Sequence, residues 1–141
     1  MQTVTTYGNG AEDLGKLILR GTLGVLILLH GISKVVSGPA AIMGMVQKAG
    51  LPAEVGYLVY LGEVVGPVLV ILGLWTRVGA ALIAINMIVA IALVHMGELF
   101  TLSEHGGWAL ELQGMFLVGA IAVALLGAGR YSLGGATGRW N

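Results

Sequence analysis

The feature that most constrains this chain is a set of ionisable side chains within stretches that otherwise have the composition of membrane spans. Four apolar segments are long enough to cross a bilayer, namely 14–36, 55–75, 78–96 and 108–128. Inside these segments or at their ends lie ionisable side chains that include Arg20, His30, Lys34, Glu63, His95 and Glu111. Because a charge in hydrocarbon costs at least about 2.5 kcal/mol, such residues usually face the bundle interior and mark a functional site.

The composition indicates a membrane protein. Of the 141 residues, 57% are hydrophobic and only 10% are charged, and the mean hydropathy is +0.92. Soluble domains carry about 25% charged residues. Four spans of about 20 residues each use most of the chain, so we predict a single membrane domain over residues 1–141.

Charge and cysteine content exclude several classes of function. The formal net charge is zero, which argues against nucleic acid as a partner. The chain has no cysteine, which excludes thiolate metal sites, iron–sulfur clusters and cysteine nucleophiles. Because residues 1–13 are polar and the first apolar stretch has the length of a span, we expect no cleaved signal peptide.

The pattern predicts an all-α membrane protein, a four-transmembrane-helix up-down bundle with a short interfacial helix between helices 1 and 2. The short helix is predicted over residues 39–49. Pro39 suits its first position, apolar residues recur at helical spacing, and Gly50 followed by Pro52 ends it.

Lysine and arginine predict the orientation of the bundle. The side that holds the two ends and the second loop carries Lys16, Arg77, Arg130 and Arg139. The positive-inside rule therefore places both termini in the cytoplasm. We expect a multi-pass protein of the bacterial inner (plasma) membrane.

The polar side chains predict a pocket in the outer half of the bundle. Counting 1.5 Å per residue from the cytoplasmic ends brings five of them, from all four helices, to similar depths. Glutamates and imidazoles on facing helices can hold a proton, a metal or the two carbonyl oxygens of a quinone. An aromatic residue lies one turn from each glutamate and would flank a flat ring. The predicted ligand-binding residues are His30, Lys34, Tyr60, Glu63, His95 and Glu111, with Trp108 as the second aromatic.

The two halves of the chain share a faint sequence echo. His30 is followed by Tyr60-x-x-Glu63-x-x-Gly66, and His95 is followed by Trp108-x-x-Glu111-x-x-Gly114. Two helix pairs of the same orientation would be parallel repeats, from which some membrane proteins are built.

A purely structural interpretation competes with the pocket. Lys34 with Glu63, or His95 with Glu111, would pair and lock the bundle. Arg20 near the cytoplasmic end would snorkel to water. Asn86 in mid-span is expected to make an interhelical hydrogen bond rather than to form part of a site.

Several short motifs in order resemble the DoxX family. They are Leu29-His30-Gly31 with Lys34, Gly50-Leu51-Pro52, Glu63, Leu74-Trp75-Thr76-Arg77, Asn86-Met87 with His95, and Gly129-Arg130-Tyr131-Ser132. The resemblance covers residues 14–133. It implies a small bacterial four-helix membrane protein; some members are the membrane subunit of a thiosulfate:quinone oxidoreductase, and others associate with redox-stress or sulfur-metabolism proteins. It implies no settled set of catalytic residues, so the site residues rest on depth and helix face.

These observations favour a redox-linked membrane subunit that binds a quinone. Glu63 and His30 would hydrogen-bond the ring oxygens and manage protons, and Lys34 would stabilise negative charge on a reduced ring. The expected partners are the lipid bilayer and a redox partner protein, with a homo-oligomer left open. Whether the chain is itself an enzyme also stays open. The alternatives are a metal-binding membrane protein, since histidine and glutamate suit zinc, iron or copper, and a non-enzymatic assembly or docking subunit or small-solute carrier.

Overall fold

The computed structural model describes residues 9–141, and these residues form five helices. The helices are α1 (Gly10–Ser37), α2 (Ala40–Lys48), α3 (Ala53–Leu72), α4 (Thr76–Glu98) and α5 (Glu111–Leu126). Within residues 9–141 the only β pairing is an isolated bridge between Leu102 and Trp108. The predicted all-helical class is confirmed. The first part of the polar N-terminal segment, with the predicted cytoplasmic N-terminus, lies outside the described residues.

Three helices are long and apolar enough to cross a bilayer. They are α1, α3 and α4, with 28, 20 and 23 residues. The fourth predicted span is a shorter helix of 16 residues, which rises about 24 Å. It begins three residues later than predicted, because the indole N–H of Trp108 donates to the Leu99 carbonyl oxygen at 2.8 Å and holds Trp108 in the preceding loop.

The four longer helices pack around one apolar core. Its buried members are Leu23 and Ile27 of α1, Val70 of α3, Ala80, Ile83, Ala84 and Met87 of α4, and Phe116, Ala120 and Val123 of α5. Large apolar side chains on the opposite faces, such as Val25, Ile85 and Val118, are exposed. An apolar exterior of this kind suits a lipid environment.

The short helix between the first two long ones is confirmed. It begins and ends within one residue of its predicted bounds. Gly50 follows at a φ of 85°, a left-handed conformation that favours glycine. Val46 is buried, and the helix packs against the first turns of α3. Its position at a membrane surface stays a prediction.

Arg20 joins α1 to the ends of α3 and α5. Its guanidinium donates to the carbonyl oxygens of Val70 at 2.9 Å and Ile71 at 2.7 Å. It also donates to Ala128 at 3.1 Å, and to Tyr131. These contacts agree with the structural role predicted for Arg20, but the expectation that it snorkels to water was wrong, because it is only 1% exposed. The reason is that the last carbonyls of a helix have no partner within the helix, and Arg20 supplies the donors that the end of α3 needs.

A second arginine does the same for α5. Arg77 at the start of α4 donates to the carbonyl oxygens of Ala124 and Leu125, both at 2.8 Å. These contacts and those of Arg20 bring the starts of α1 and α4 together with the ends of α3 and α5. We call this end of the molecule the capped end.

An ion pair ties the C-terminal tail to the capped end. Arg130 Nε donates to Asp13 Oδ2 at 2.6 Å, and the Arg130 backbone N–H donates to Oδ1 at 3.2 Å. The hydrogen bond to the Asp13 carboxylate raises the pKa of the Arg130 guanidinium above its ordinary value. The ion pair holds the tail beside the first turn of α1.

Candidate functional site

A buried carboxylate lies at the other end of the bundle. Glu63 of α3 is only 4% exposed. Lys34 Nζ from α1 donates to both of its oxygens, at 2.6 Å to Oε1 and 2.5 Å to Oε2. Asn86 Nδ2 from α4 donates to Oε1 at 3.1 Å. Three helices thus contribute to one polar cluster, the Lys34–Glu63–Asn86 cluster.

The local sequence explains why α1 and α3 approach closely here. Pro67 has no N–H, so the carbonyl of Glu63, four residues earlier, loses its α-helical partner. The backbone over Leu61–Val65 is π-helical instead. Gly31 of α1 faces this carbonyl, and a Cβ on Gly31 would collide with it. Glycine at this position therefore allows the contact, and Lys34, one turn further along α1, reaches the carboxylate.

Asn86 belongs to the cluster for a similar reason. A Cβ on Gly62 would collide with the Asn86 side chain, so glycine leaves room for the amide beside Glu63. The interhelical hydrogen bond predicted for Asn86 is therefore present. Its acceptor is the Glu63 carboxylate, so Asn86 adjoins the candidate site.

Two cavities border this cluster. The smaller, of about 180 Å³, lies among α1, α4 and α5 and is called the small cavity. Its lining consists of Ile27, His30, Lys34, Glu63, Met87, Ala90, His95, Leu112, Gln113 and Phe116. Polar side chains therefore come to it from four helices.

The larger cavity, of about 570 Å³, lies among α2, α3 and α4 and is called the apolar groove. Its walls are aliphatic side chains such as Ile42, Leu58 and Leu93. Its polar members are Lys34, Glu63, Asn86 and His95. Lys34, Glu63 and His95 line both cavities, so the ion pair forms part of the partition between them.

The two span histidines have different neighbours. His30 Nδ1 lies 2.9 Å from the Leu26 carbonyl oxygen, and its ring meets Phe116 edge-on at 5.8 Å. His95 Nδ1 lies 3.0 Å from Glu98 Oε2. The alternative in which His95 pairs with Glu111 was wrong, since Glu98 takes that place one turn after His95. Among the described residues, His30 makes no hydrogen bond to Glu63, although both line the small cavity.

The other predicted site residues lie outside both cavities. Tyr60 Oη donates to the Lys34 carbonyl oxygen at 3.2 Å, so Tyr60 supports the backbone behind the ion pair. Glu111 is exposed at the start of α5. Trp108 is held in the loop by its bond to Leu99. The predicted stacking of Tyr60 and Trp108 on a flat ring therefore gains no support from this geometry.

Gln113 is a site residue that sequence reasoning missed. It lines the small cavity, and its Oε1 is buried without a hydrogen-bond partner among the described residues. The available signal was an amide in an otherwise apolar helix. A metal site gains no support: residues 9–141 contain no group of three or more His, Cys, Asp or Glu side chains that could hold a metal ion.

Comparison with known proteins identifies the family. The sequence profile of the DoxX family matches residues 15–96, more than half of the chain. The chain belongs to the DoxX family. A Bacillus subtilis (strain 168) protein named "Putative oxidoreductase CatD" is 31% identical to it over 109 residues, which cover 77% of this chain and 81% of that protein. No solved structure matches the chain.

The DoxX match includes most of the candidate site. It contains His30, the Lys34–Glu63–Asn86 cluster and His95, and it ends at Met96. Gln113 and the rest of α5 lie beyond it. The apolar groove is therefore built wholly from the DoxX-matching part of the chain, whereas one wall of the small cavity comes from α5.

Proposed function

We propose that this DoxX protein is a redox-linked membrane subunit that binds a quinone in the apolar groove. The head group would lie against the Lys34–Glu63–Asn86 cluster, and the tail would follow the aliphatic walls. The observation that carries this proposal is a buried, hydrogen-bonded ion pair at the border of a large apolar cavity.

The size and chemistry of the groove fit such a ligand. Binding cavities for small molecules are about 300–1,000 Å³, mostly apolar, with a few placed polar groups, and the groove has about 570 Å³. The Lys34 side chain is 33% exposed, so its ammonium can donate to a ligand oxygen while it pairs with Glu63. A bound quinone supplies two-electron, two-proton chemistry. The residues of this chain would orient it and hold a proton at the Glu63 carboxyl.

The redox class is supported by the relative, whose name describes an oxidoreductase. The chain has no cysteine, so we propose that a redox partner protein delivers the electrons. Whether this chain also forms a homo-oligomer would be settled by light scattering on the purified protein.

We further propose that α1, α3, α4 and α5 cross the bacterial inner membrane as an up-down bundle with cytoplasmic termini. The basic residues of the capped end support this orientation. Because the chain lacks cysteine, Glu104→Cys and Thr137→Cys are single reporters for an impermeant maleimide. On intact spheroplasts, Glu104→Cys should react, and Thr137→Cys should react only after permeabilisation. The reverse pattern would contradict the orientation.

The quinone proposal is tested by the affinity of decylubiquinone for the purified protein. Glu63→Gln keeps shape but loses the charge, and hydrogen bonds between charged groups contribute about 1.5–3 kcal/mol. We expect affinity to fall roughly tenfold to a hundredfold. Glu54→Gln, an exposed acid on the same helix, is the matched control and should bind like wild type. Unchanged affinity in folded Glu63→Gln protein would overturn the proposal.

A further inference from the structure

The ion pair has two unlike sides. The apolar groove on one side carries only the cluster and His95 as polar lining. The small cavity on the other side adds the polar side chains of His30 and Gln113 to Lys34, Glu63 and His95. This difference needs an explanation, because polar groups inside a membrane bundle are costly unless they have partners.

The additional polar groups present hydrogen-bond acceptors. His30 Nδ1 faces a carbonyl oxygen and His95 Nδ1 faces a carboxylate. With an acceptor beside it, each Nδ1 is assigned the hydrogen. Gln113 Oε1 is a buried acceptor with no partner among the described residues. A buried acceptor without a donor costs about 1–3 kcal/mol, so Gln113 Oε1 calls for a small molecule with a hydrogen to donate.

Water has the right size and chemistry. At about 30 Å³ per molecule in the liquid, a cavity of about 180 Å³ has room for several waters. Leu112, one of its lining residues, is 50% exposed. Water there would reach the Glu63 carboxylate from the side opposite the groove.

We propose that the small cavity is a hydrated compartment through which the Glu63 carboxyl exchanges protons with water. In this step a proton passes from water to a Glu63 oxygen, or back, and no electron moves. The titratable groups that face Glu63 are Lys34 and His30 from α1 and His95 from α4, with Glu98 behind His95. The lining from α5 adds no titratable group, only the Gln113 amide. The role of this proton exchange rests on the proposed quinone function. The hydration of the small cavity does not depend on that function.

Cysteine accessibility tests the compartment directly, because the wild-type chain has no thiol. Leu112→Cys reports on the small cavity and Val94→Cys on the groove. The two residues flank the same loop and are 50% and 49% exposed. Met87→Cys reports from deeper in the small cavity, next to Asn86. The probe is a charged, water-soluble methanethiosulfonate applied to the protein in phospholipid nanodiscs.

The expected result is modification of Leu112→Cys at least about tenfold faster than Val94→Cys, because apolar surroundings raise a thiol pKa and lower its thiolate fraction. Met87→Cys, at a position only 6% exposed, should react at a measurable rate. Adding Gln113→Leu, which removes the buried acceptor, should slow Met87→Cys. Equal rates at the two flanking positions, or an unreactive Met87→Cys in folded protein, would overturn the compartment. Fast labelling in protein that binds no decylubiquinone would keep the compartment and overturn only the quinone proposal.

Discussion

Two buried charges at opposite ends of the bundle differ in what surrounds them. Arg20 is 1% exposed and Glu63 is 4% exposed. Every hydrogen-bond acceptor of Arg20 is a backbone carbonyl. Glu63 bonds to two side chains and borders two cavities. Burial of a charge alone therefore does not distinguish the candidate site from the capped end; the kind of partner and the adjoining space do.

The difference has a physical origin in helix ends. The last carbonyls of α3 must find donors. Arg20 supplies those for Val70 and Ile71, and the Leu133 N–H supplies that for Leu72 at 3.1 Å. Such bonds fix the fold and engage four of the five N–H donors of Arg20. Side-chain partners such as Lys34 can rearrange when a ligand arrives, so we expect ligand binding at the Glu63 end, whereas the contacts of Arg20 hold the bundle together.

The largest expected effect is at the capped end. Arg20→Met leaves four backbone carbonyls without their donor. Each buried carbonyl left without a donor costs about 1–3 kcal/mol, so we expect the free energy of unfolding to fall by at least about 3 kcal/mol, measured by denaturant titration in mixed micelles. Arg139→Met makes the same chemical change at an exposed position and should cost under about 1 kcal/mol. Equal losses in the free energy of unfolding for the two variants would contradict a structural role for Arg20.

The next effect comes from breaking the ion pair on one side only. Lys34→Met leaves a buried carboxylate unpaired, and because Lys34 is one-third exposed we expect a smaller loss of about 2 kcal/mol. The double variant Lys34→Met/Glu63→Gln removes the orphaned charge and should recover about half of that loss. A double variant less stable than Lys34→Met would show that the pair is a structural lock like Arg20.

Asn86→Ala should have a smaller effect on stability. It deletes one hydrogen bond to Glu63, worth about 1 kcal/mol. Because Asn86 also lines the groove, we expect its loss in decylubiquinone affinity to exceed that of Tyr60→Phe, which deletes a bond outside both cavities. Equal losses in the two variants would mean that position relative to the groove does not matter.

The smallest expected effect is that of Glu111→Gln, which alters the second glutamate of the sequence echo. Glu63 is buried and paired, whereas Glu111 is exposed and lines neither cavity. Glu111→Gln should change the free energy of unfolding by less than about 0.5 kcal/mol and leave decylubiquinone affinity unchanged. A loss of affinity comparable to that of Glu63→Gln would support the predicted pocket in which Glu63 and Glu111 both bind the ligand.

The sequence was sufficient for the helical class, the short helix and the DoxX resemblance, because these depend on apolar periodicity and on glycine and proline positions. It also offered Lys34 with Glu63 as a pair. It was insufficient for helix faces near the site. A regular helical wheel sets Asn86 and His95 about 180° apart, but Ile91–His95 is π-helical. The extra residue of a π turn rotates the later part of the helix by about 100°, and both side chains line the groove.

The hydrogen-bond partners of individual side chains also could not be predicted from the sequence. The glutamate that bonds His95 is one turn away in Glu98 rather than across the bundle in Glu111. The acceptors of Arg20 are backbone carbonyls from distant parts of the chain, among them Val70 and Tyr131. Such carbonyls carry no sequence signature, so only packing reveals them.

The most direct test of the central claim, that the Glu63 end binds a quinone, is mass spectrometry of small molecules extracted from the purified protein. Wild type should carry a prenylated quinone at a level close to one per chain. Folded Glu63→Gln should carry much less, and Glu54→Gln should match wild type. Equal quinone in all three proteins, or none in folded wild type saturated with decylubiquinone before purification, would contradict the account.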